Sequence, residues 1–260
     1  MRATITQYVP GHSPLHRLDP RIKVVAVTTL AVALFVRDSY AALAVFGAVA
    51  LAAVLLSGVP ARWFWRGLKP LLWLVGLTFV VQVLFAPGEA FFTLGPIHLT
   101  WEGIERATFL SVRLIILVVT GALLTLTTPP VALTDALAWL TRPLRRVRVP
   151  TEELALMVTI ALRFIPTLLM ELDTIMRAQR ARGAEFARGG LVTRARALVP
   201  VLIPLFVVSF RRADDLALAM EARCYRPGLT RTRLHPLAAG AGDWLALALV
   251  VAVVAVAMVV

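Results

Sequence analysis

The chain of 260 residues is 59% apolar and 16% charged, against about 45–50% and about 25% in soluble domains, which excludes both an ordinary water-soluble domain and a disordered coil. Its single cysteine, Cys224, excludes an intrachain disulfide framework and a multi-thiolate metal site. A net charge of +12 would suggest nucleic acid on a polar surface, but on so apolar a chain it marks the basic face of a polytopic membrane protein.

The first twenty residues carry Pro10, Gly11, Pro14 and Pro20 and do not read as a signal peptide, because no apolar core follows a charged start. Asp19-Pro20 reads as a helix start, with Asp19 capping free amides and Pro20 in the first turn. Ile22–Val36 is the first expected span. It is short for a core of about 30 Å, so Lys23 and Arg37 are expected to snorkel at its two ends. Tyr40–Leu56 is the second span, after a tight Arg37-Asp38-Ser39 connection. Arg62, Trp63, Trp65, Arg66 and Lys69 form a basic, aromatic border of the interfacial kind, and Pro70–Ala86 follows as the third span. Residues 87–108, with Pro87, Gly88, Gly95 and Pro96, read as an irregular loop. Thr100-Trp101 starts the fourth span, which runs through Phe109–Leu126 and stops before Pro129-Pro130. Trp244–Val260 is the last. Within the first four spans Gln82 stands out as polar, and is expected to hydrogen-bond a neighbouring helix.

Positive charge sets the orientation. The N-terminal segment through Lys23 carries four Lys/Arg, residues 58–69 carry three and 131–236 carry seventeen, whereas 87–108 has one Arg against three Glu. Alternating sides through four spans brings the three basic segments together, inside the cell under the positive-inside rule. The N-terminus is then cytoplasmic and the C-terminus outside. Three regions result: four spans within 1–130, a cytoplasmic coupling-helix region over 131–236, and a C-terminal transmembrane helix over 237–260.

The long basic region contains two apolar stretches. Leu154–Met170 holds Arg163 near its centre, and a mid-helix Arg costs about 2.5–3.5 kcal/mol on insertion scales. Ala197–Phe210 holds Pro200 and Pro204 and is short for a span. Both are expected as long amphipathic helices at the cytoplasmic face, giving five spans in preference to seven. Their charged ends share the pattern Ala-x-x-Ala-Arg-small, at Ala178–Gly183 and Ala219–Cys224, with Arg182 and Arg223 41 residues apart. Each precedes a breaker, Gly183 or Pro227-Gly228. A helix C-cap explains one copy, since Arg complements the negative end of the dipole and Gly takes the left-handed position. Two copies also suit docking into two similar grooves of a two-fold symmetric partner, because Arg offers carboxylates a planar, permanently charged fork.

The opening Tyr8-Val9-Pro10-Gly11-His12-Ser13-Pro14-Leu15-His16-Arg17-Leu18-Asp19-Pro20-Arg21, the run Leu162-Arg163-Phe164-Ile165-Pro166, and above all the segments 177–183 and 211–226 resemble the transmembrane T component of energy-coupling factor (ECF) transporters, the CbiQ/BioN/EcfT-like proteins. The resemblance covers nearly the whole chain. It implies a non-catalytic, all-α scaffold in the cell membrane. That scaffold would hold two cytoplasmic ATP-binding-cassette (ABC) ATPases and a membrane substrate-binding S component, for uptake of a vitamin or a transition-metal ion such as cobalt or nickel. The family's two Ala-Arg-Gly-type motifs, which sit in grooves of the ATPases, correspond to Ala181-Arg182-Gly183 and Ala222-Arg223-Cys224. Cys224 departs from the usual Gly, at a cost of about 1 kcal/mol in a left-handed cap.

An intramembrane or interfacial enzyme is the alternative from another class, and a self-sufficient secondary transporter a further one. An enzyme would need clustered carboxylates, histidines or a nucleophile near the bilayer. His12, His16, His98 and His235 all fall in loops, and Ser13-Pro14 argues against a helix that would turn the His12/His16 spacing into a metal site. Asp214-Asp215 beside Arg211-Arg212 reads as one-turn ion pairs. No phosphate-binding Gly-x-x-x-x-Gly-Lys-[Ser/Thr] occurs in the sequence, so ATP hydrolysis is assigned to partners. No cofactor, resident metal or nucleic acid is expected.

Overall fold

The computed structural model describes residues 8–85, 90–94, 97–143, 150–186, 190–226, 228 and 239–259. Pro87, Gly88, Gly95, Pro96, Pro227 and His235, which enter the expectations above, lie outside the described residues. The protein is an all-α polytopic membrane protein whose chain forms two compact units, Met1–Leu140 with His235–Val260, and Thr141–Leu234.

The first unit contains α1 (Pro14–Arg17), α2 (Pro20–Val36), α3 (Tyr40–Ser57), α4 (Ala61–Phe85), the strands β1 (Ala90–Leu94) and β2 (Ile97–Thr100), α5 (Trp101–Thr127), α6 (Pro130–Leu140) and, after the second unit, α9 (Ala241–Val259). Asp19 caps α2, its Oδ1 accepting from the Arg21 amide at 2.8 Å with Pro20 in the first turn. Thr100 caps α5 in the same way, Oγ1 accepting from the Gly103 amide at 3.0 Å. Leu30, Ala33, Leu34, Ala42, Leu43, Phe46, Ala50, Ile116 and Ala257 form the main core of this unit, where α2, α3, α5 and α9 meet.

Several boundaries differ from expectation. The third apolar helix starts at Ala61 rather than Pro70, so the basic, aromatic border is its first turns and Pro70 lies inside it; Arg66 stacks over the Trp63 ring at 5.8 Å. Part of the loop expected over 87–108 is an antiparallel hairpin, Leu94 facing Ile97 and Ala90 facing Thr100. Aromatic, β-branched and alternating residues on both sides of a two-residue step favour that pairing over irregular backbone.

Lys23 is the main correction. Rather than snorkelling to the surface it is buried, and its Nζ donates to the Thr127 carbonyl at 3.1 Å, to Thr128 Oγ1 at 3.4 Å and to the His16 carbonyl at 3.5 Å. Thr127 closes α5, so its carbonyl is one of the four that a helix end leaves without an intrahelical donor. An ammonium group placed there gains charge-assisted bonds that open lipid would not supply. Beside it the Asp19 amide donates to Asp243 Oδ1 at 2.7 Å, and the Gly240 amide to Oδ2 at 2.8 Å. The starts of α2 and α9 and the end of α5 are thereby fixed at one end of the bundle.

At the far end of α2 Arg113 Nη2 donates to the Arg37 carbonyl at 2.9 Å and pairs with Asp38, and the Tyr40 hydroxyl donates to the Glu105 carbonyl at 3.0 Å. The end of α2 therefore meets the middle of α5, and the start of α3 lies beside the first turns of α5. Because α5 finishes where α9 begins, residues 128–240 leave and return at the same end of this unit.

Five helices are long and apolar enough to cross a membrane: α3, α4, α5, α9 and Thr151–Ala181. The five spans expected from sequence differ in one member, since they include α2 and leave Thr151–Ala181 out. At 17 residues α2 spans about 26 Å, just short of a full hydrocarbon core.

Replacing Lys23 by Met keeps the length of the side chain but leaves the buried Thr127 carbonyl without its donor. The expected loss is about 1–3 kcal/mol, read as a lowered thermal unfolding midpoint in detergent; an unchanged midpoint would remove Lys23 from its structural role.

Candidate functional site

The second unit contains α7 (Thr151–Ala181) and α8 (Leu191–Ala222), of 31 and 32 residues. Each runs unbroken through its prolines, Pro166 in α7 and Pro200 and Pro204 in α8. A proline inside a helix leaves the carbonyl four residues earlier without its amide. For Pro204 that carbonyl belongs to Pro200, and Gln179 Nε2 of α7 donates to it at 3.2 Å. A side chain of one helix thus fills the gap that proline opens in the other.

Both helices end alike. In α7, Arg182 is the C-cap with φ −87° and ψ 8°, and Gly183 follows at φ +88°. The Gly183 amide bonds the Arg180 carbonyl at 3.0 Å, and the Ala184 amide reaches back to Gln179 at 2.9 Å. In α8, Arg223 is the C-cap with φ −92° and ψ 15°, and Cys224 follows at φ +59°. The Cys224 amide bonds the Glu221 carbonyl at 2.8 Å, and the Tyr225 amide reaches back to Met220 at 3.0 Å. These are two complete Schellman caps, and every donor and acceptor in one lies 41 residues from its counterpart in the other. Among the described residues Cys224 is the one non-glycine at positive φ.

Ala181, Arg182, Gly183, Ala222, Arg223 and Cys224 are all exposed. No ion pair or hydrogen bond among the described residues occupies the guanidinium of Arg182 or of Arg223. Arg180 behaves differently, lying over the Phe186 ring at 5.8 Å. Each tip therefore offers a rigidly capped helix end with a free, planar, cationic fork suited to a carboxylate pair. A second departure from expectation concerns Arg212, which pairs with Glu171 of α7 rather than with Asp214-Asp215 on its own helix.

In the first unit the opening motif is structural. His12 precedes the single turn of α1, so it and His16 do not share a helix. His16 Nε2 donates to the Val9 carbonyl at 3.0 Å, which leaves Nδ1 to accept from the Ser13 hydroxyl at 2.7 Å. A Cβ at Gly11 would lie 2.8 Å from the His16 ring, so glycine is what permits this approach. Arg113 was missed in reading the spans, although a charged residue inside the apolar stretch from Phe109 was a visible signal. Its guanidinium lies over the Phe109 ring at 4.5 Å and the Phe35 ring at 5.8 Å. It lines, with Gln82, Asp38, Glu102, Glu105 and Arg106, a cavity of about 600 Å³.

A family profile described as "CbiQ: Cobalt transport protein" matches residues 11–235, a stretch that contains the opening motif from Gly11 and both capped tips. A protein of Thermosediminibacter oceani named "Energy-coupling factor transporter transmembrane protein EcfT" is 52% identical over 240 residues, covering 92% of this chain and 91% of its own. The chain belongs to the transmembrane T-component family of energy-coupling factor transporters. Relatives of the same name from Thermanaerovibrio acidaminovorans, 49% identical over 249 residues with 95% and 92% coverage, and from Limosilactobacillus fermentum, 44% identical over 253 residues with 97% and 95%, agree. As a T component the protein is a multi-pass membrane part of a transporter, and its two capped tips lie inside the region that defines the family.

Substituting Cys224 by Gly removes the side chain from a left-handed position while adding freedom to the unfolded chain. The net expected gain is about 0.5–1 kcal/mol, read as slower hydrogen exchange at the 224 and 225 amides. Gly183→Ala is expected to show a loss of similar size at 183 and 184.

Proposed function

We propose that this T component is the scaffold of an ECF-type importer in the plasma membrane, holding two cytoplasmic ABC ATPases and a membrane S component that binds the substrate. The observation that carries the proposal is the pair of matched, exposed, arginine-bearing Schellman caps on α7 and α8. Two like ATPases around a two-fold axis present two like grooves, and two like tips are their complement. In each groove the arginine fork makes a charge-assisted, bidentate contact with acidic groups, and the neighbouring alanine admits close approach of the partner backbone. Ala181-Arg182-Gly183 docks in one ATPase and Ala222-Arg223-Cys224 in the other.

ATP-driven closure of the ATPases displaces the tips. A capped helix transmits that displacement along its length, which a loose loop does not. The apolar middles of α7 and α8, with Met157, Val158, Ile203, Phe206 and Phe210 exposed, then reorient the S component in the bilayer. The cargo is a vitamin or a transition-metal ion such as cobalt or nickel, chosen by the S component. The bundle end where α2 and α9 start carries Arg17, Arg21, Lys23, Arg62, Arg66 and Lys69, against Arg37, Arg106 and Arg113 towards the other, where Asp38, Glu102 and Glu105 also lie; that excess supports a cytoplasmic placement for the N-terminus, and the seventeen Lys/Arg of residues 131–236 support the same side for them.

The test is an affinity pull-down of the tagged chain from mild detergent, wild type beside Arg182→Glu/Arg223→Glu. Two ABC ATPases are expected with wild type and none with the double variant, since reversing a desolvated contact charge costs about 2–5 kcal/mol per tip. The S component in the same eluate identifies the substrate class. Folded wild type that brings down no ATPase would overturn the scaffold assignment, and normal transport by Arg182→Ala/Arg223→Ala would overturn the docking role of the tips.

A further inference from the structure

Three contacts define how α7 and α8 lie against each other. Glu153 Oε1, near the start of α7, accepts from the Gly228 amide beyond the end of α8 at 2.9 Å. Glu171, towards the middle of the pair, meets Arg212. Gln179, near the end of α7, meets Pro200 in the first half of α8 at 3.2 Å. Positions rise along one helix as they fall along the other, so the pair is antiparallel and its arginine tips point to opposite ends.

The central contact joins equivalent positions. Glu171 and Arg212 are 41 residues apart, the same offset that relates Arg182 to Arg223, and each lies eleven residues before its cap. The repeat extends inwards from the caps through Ala181/Ala222 and Ala178/Ala219 to Asp173/Asp214. In an antiparallel pair of repeats related by a two-fold axis, the position that meets its own counterpart lies on that axis. Had the repeat kept one charge there, the copies would repel at contact distance. This chain carries an acid in one copy and a base in the other, both side chains half-buried, at 23% and 33% exposure. A pair so placed loses most when one partner is removed, because the other charge is left without a counterion.

We infer that Glu171–Arg212 lies on a local two-fold axis of α7 and α8 and is the positioning pair that sets the spacing between the two arginine tips. Eleven residues of helix on each side put each tip about 16 Å from the pair, and both at the same reach. Neither residue docks; each acts through Arg182 and Arg223. The spacing is a property of the chain alone, while its use in meeting two ATPases at once rests on the function proposed above.

The experiment measures the spacing directly. Cys224 is the sole cysteine, so Ala184→Cys supplies a second spin label at the other tip, and double electron–electron resonance on the full chain in lipid nanodiscs reads the distance. One narrow peak, at about 30–35 Å, is expected with Glu171 and Arg212 intact. Glu171→Ala and the near-isosteric Glu171→Gln are expected to lose the single peak, and Glu171→Arg/Arg212→Glu to restore it. Equal helicity by circular dichroism guards against unfolding as the cause. An unchanged peak in both single variants would overturn the inference, as would failure of the exchanged pair to restore it at native helicity. The ATPase pull-down on the unlabelled wild-type chain separates the two claims: a peak that behaves as expected, beside an unlabelled chain that captures no ATPase, leaves the positioning pair standing and removes the docking role.

Discussion

The first unit depends on one buried amine. A helix end buried within the protein has no water to satisfy its last carbonyls, and they must find donors there. Lys23 supplies that donor for the end of α5, and it can do so because Asp19 and Pro20 start α2 at the matching level. Asp243 then joins α9 to the same level through the Asp19 amide. Three helices distant in sequence are set to a common height by polar groups, and the apolar core of Leu34, Phe46 and Ile116 packs on elements already in register. Arg113, midway along α5, does the corresponding work at the far end of α2, with the Arg37 carbonyl and Asp38 on one side and the Phe109 ring on the other. Between these polar ends the helices bury little and leave Trp73, Leu55 and Phe85 exposed, as suits a surface whose solvent is hydrocarbon.

The second unit is organised on the opposite principle, by repetition rather than by ends gathered at one level. Two helices of nearly equal length carry the same cap, and the carbonyl freed by Pro204 is satisfied from the neighbouring helix. Prolines weaken a helix locally, yet here both helices remain continuous from start to cap. That combination gives long elements that are continuous along their length and softened at defined places.

What the sequence made legible follows from how local each signal is. Apolar runs of span length identified α3, α9 and, despite Arg113, α5, because membrane insertion depends on composition more than on partners. Asp19-Pro20 and Thr100 announced helix starts, since a cap is satisfied within three residues. The duplicated Ala-x-x-Ala-Arg-small pattern pointed to both tips, because a Schellman cap is also built from neighbouring residues. The misses are non-local. Lys23 looked like a snorkelling residue, and nothing within α2 says that the open end of α5 lies beside it. Arg212 had Asp214 and Asp215 close by in sequence, and its actual partner is specified only by the antiparallel register of α7 and α8. The start of α4 was placed too late because Arg62, Arg66 and Lys69 obscured nine residues of helix, and the hairpin before α5 was hidden by its brevity.

Gln179 belongs to two structures at once. Its carbonyl accepts the Arg182 and Ala184 amides that close the α7 cap, while its side chain holds the Pro200 carbonyl of α8. A substitution at 179 leaves the acceptor of the cap in place, because every residue supplies that carbonyl, and removes only the donor to Pro200. A chain that exchanged Pro204 for an ordinary helix former would return that carbonyl to its own helix and leave Gln179 without a task, whereas one that lost Gln179 first would carry an orphaned acceptor. The order in which a lineage could make such exchanges is constrained by chemistry, with Pro204 free to change first and Gln179 only after it.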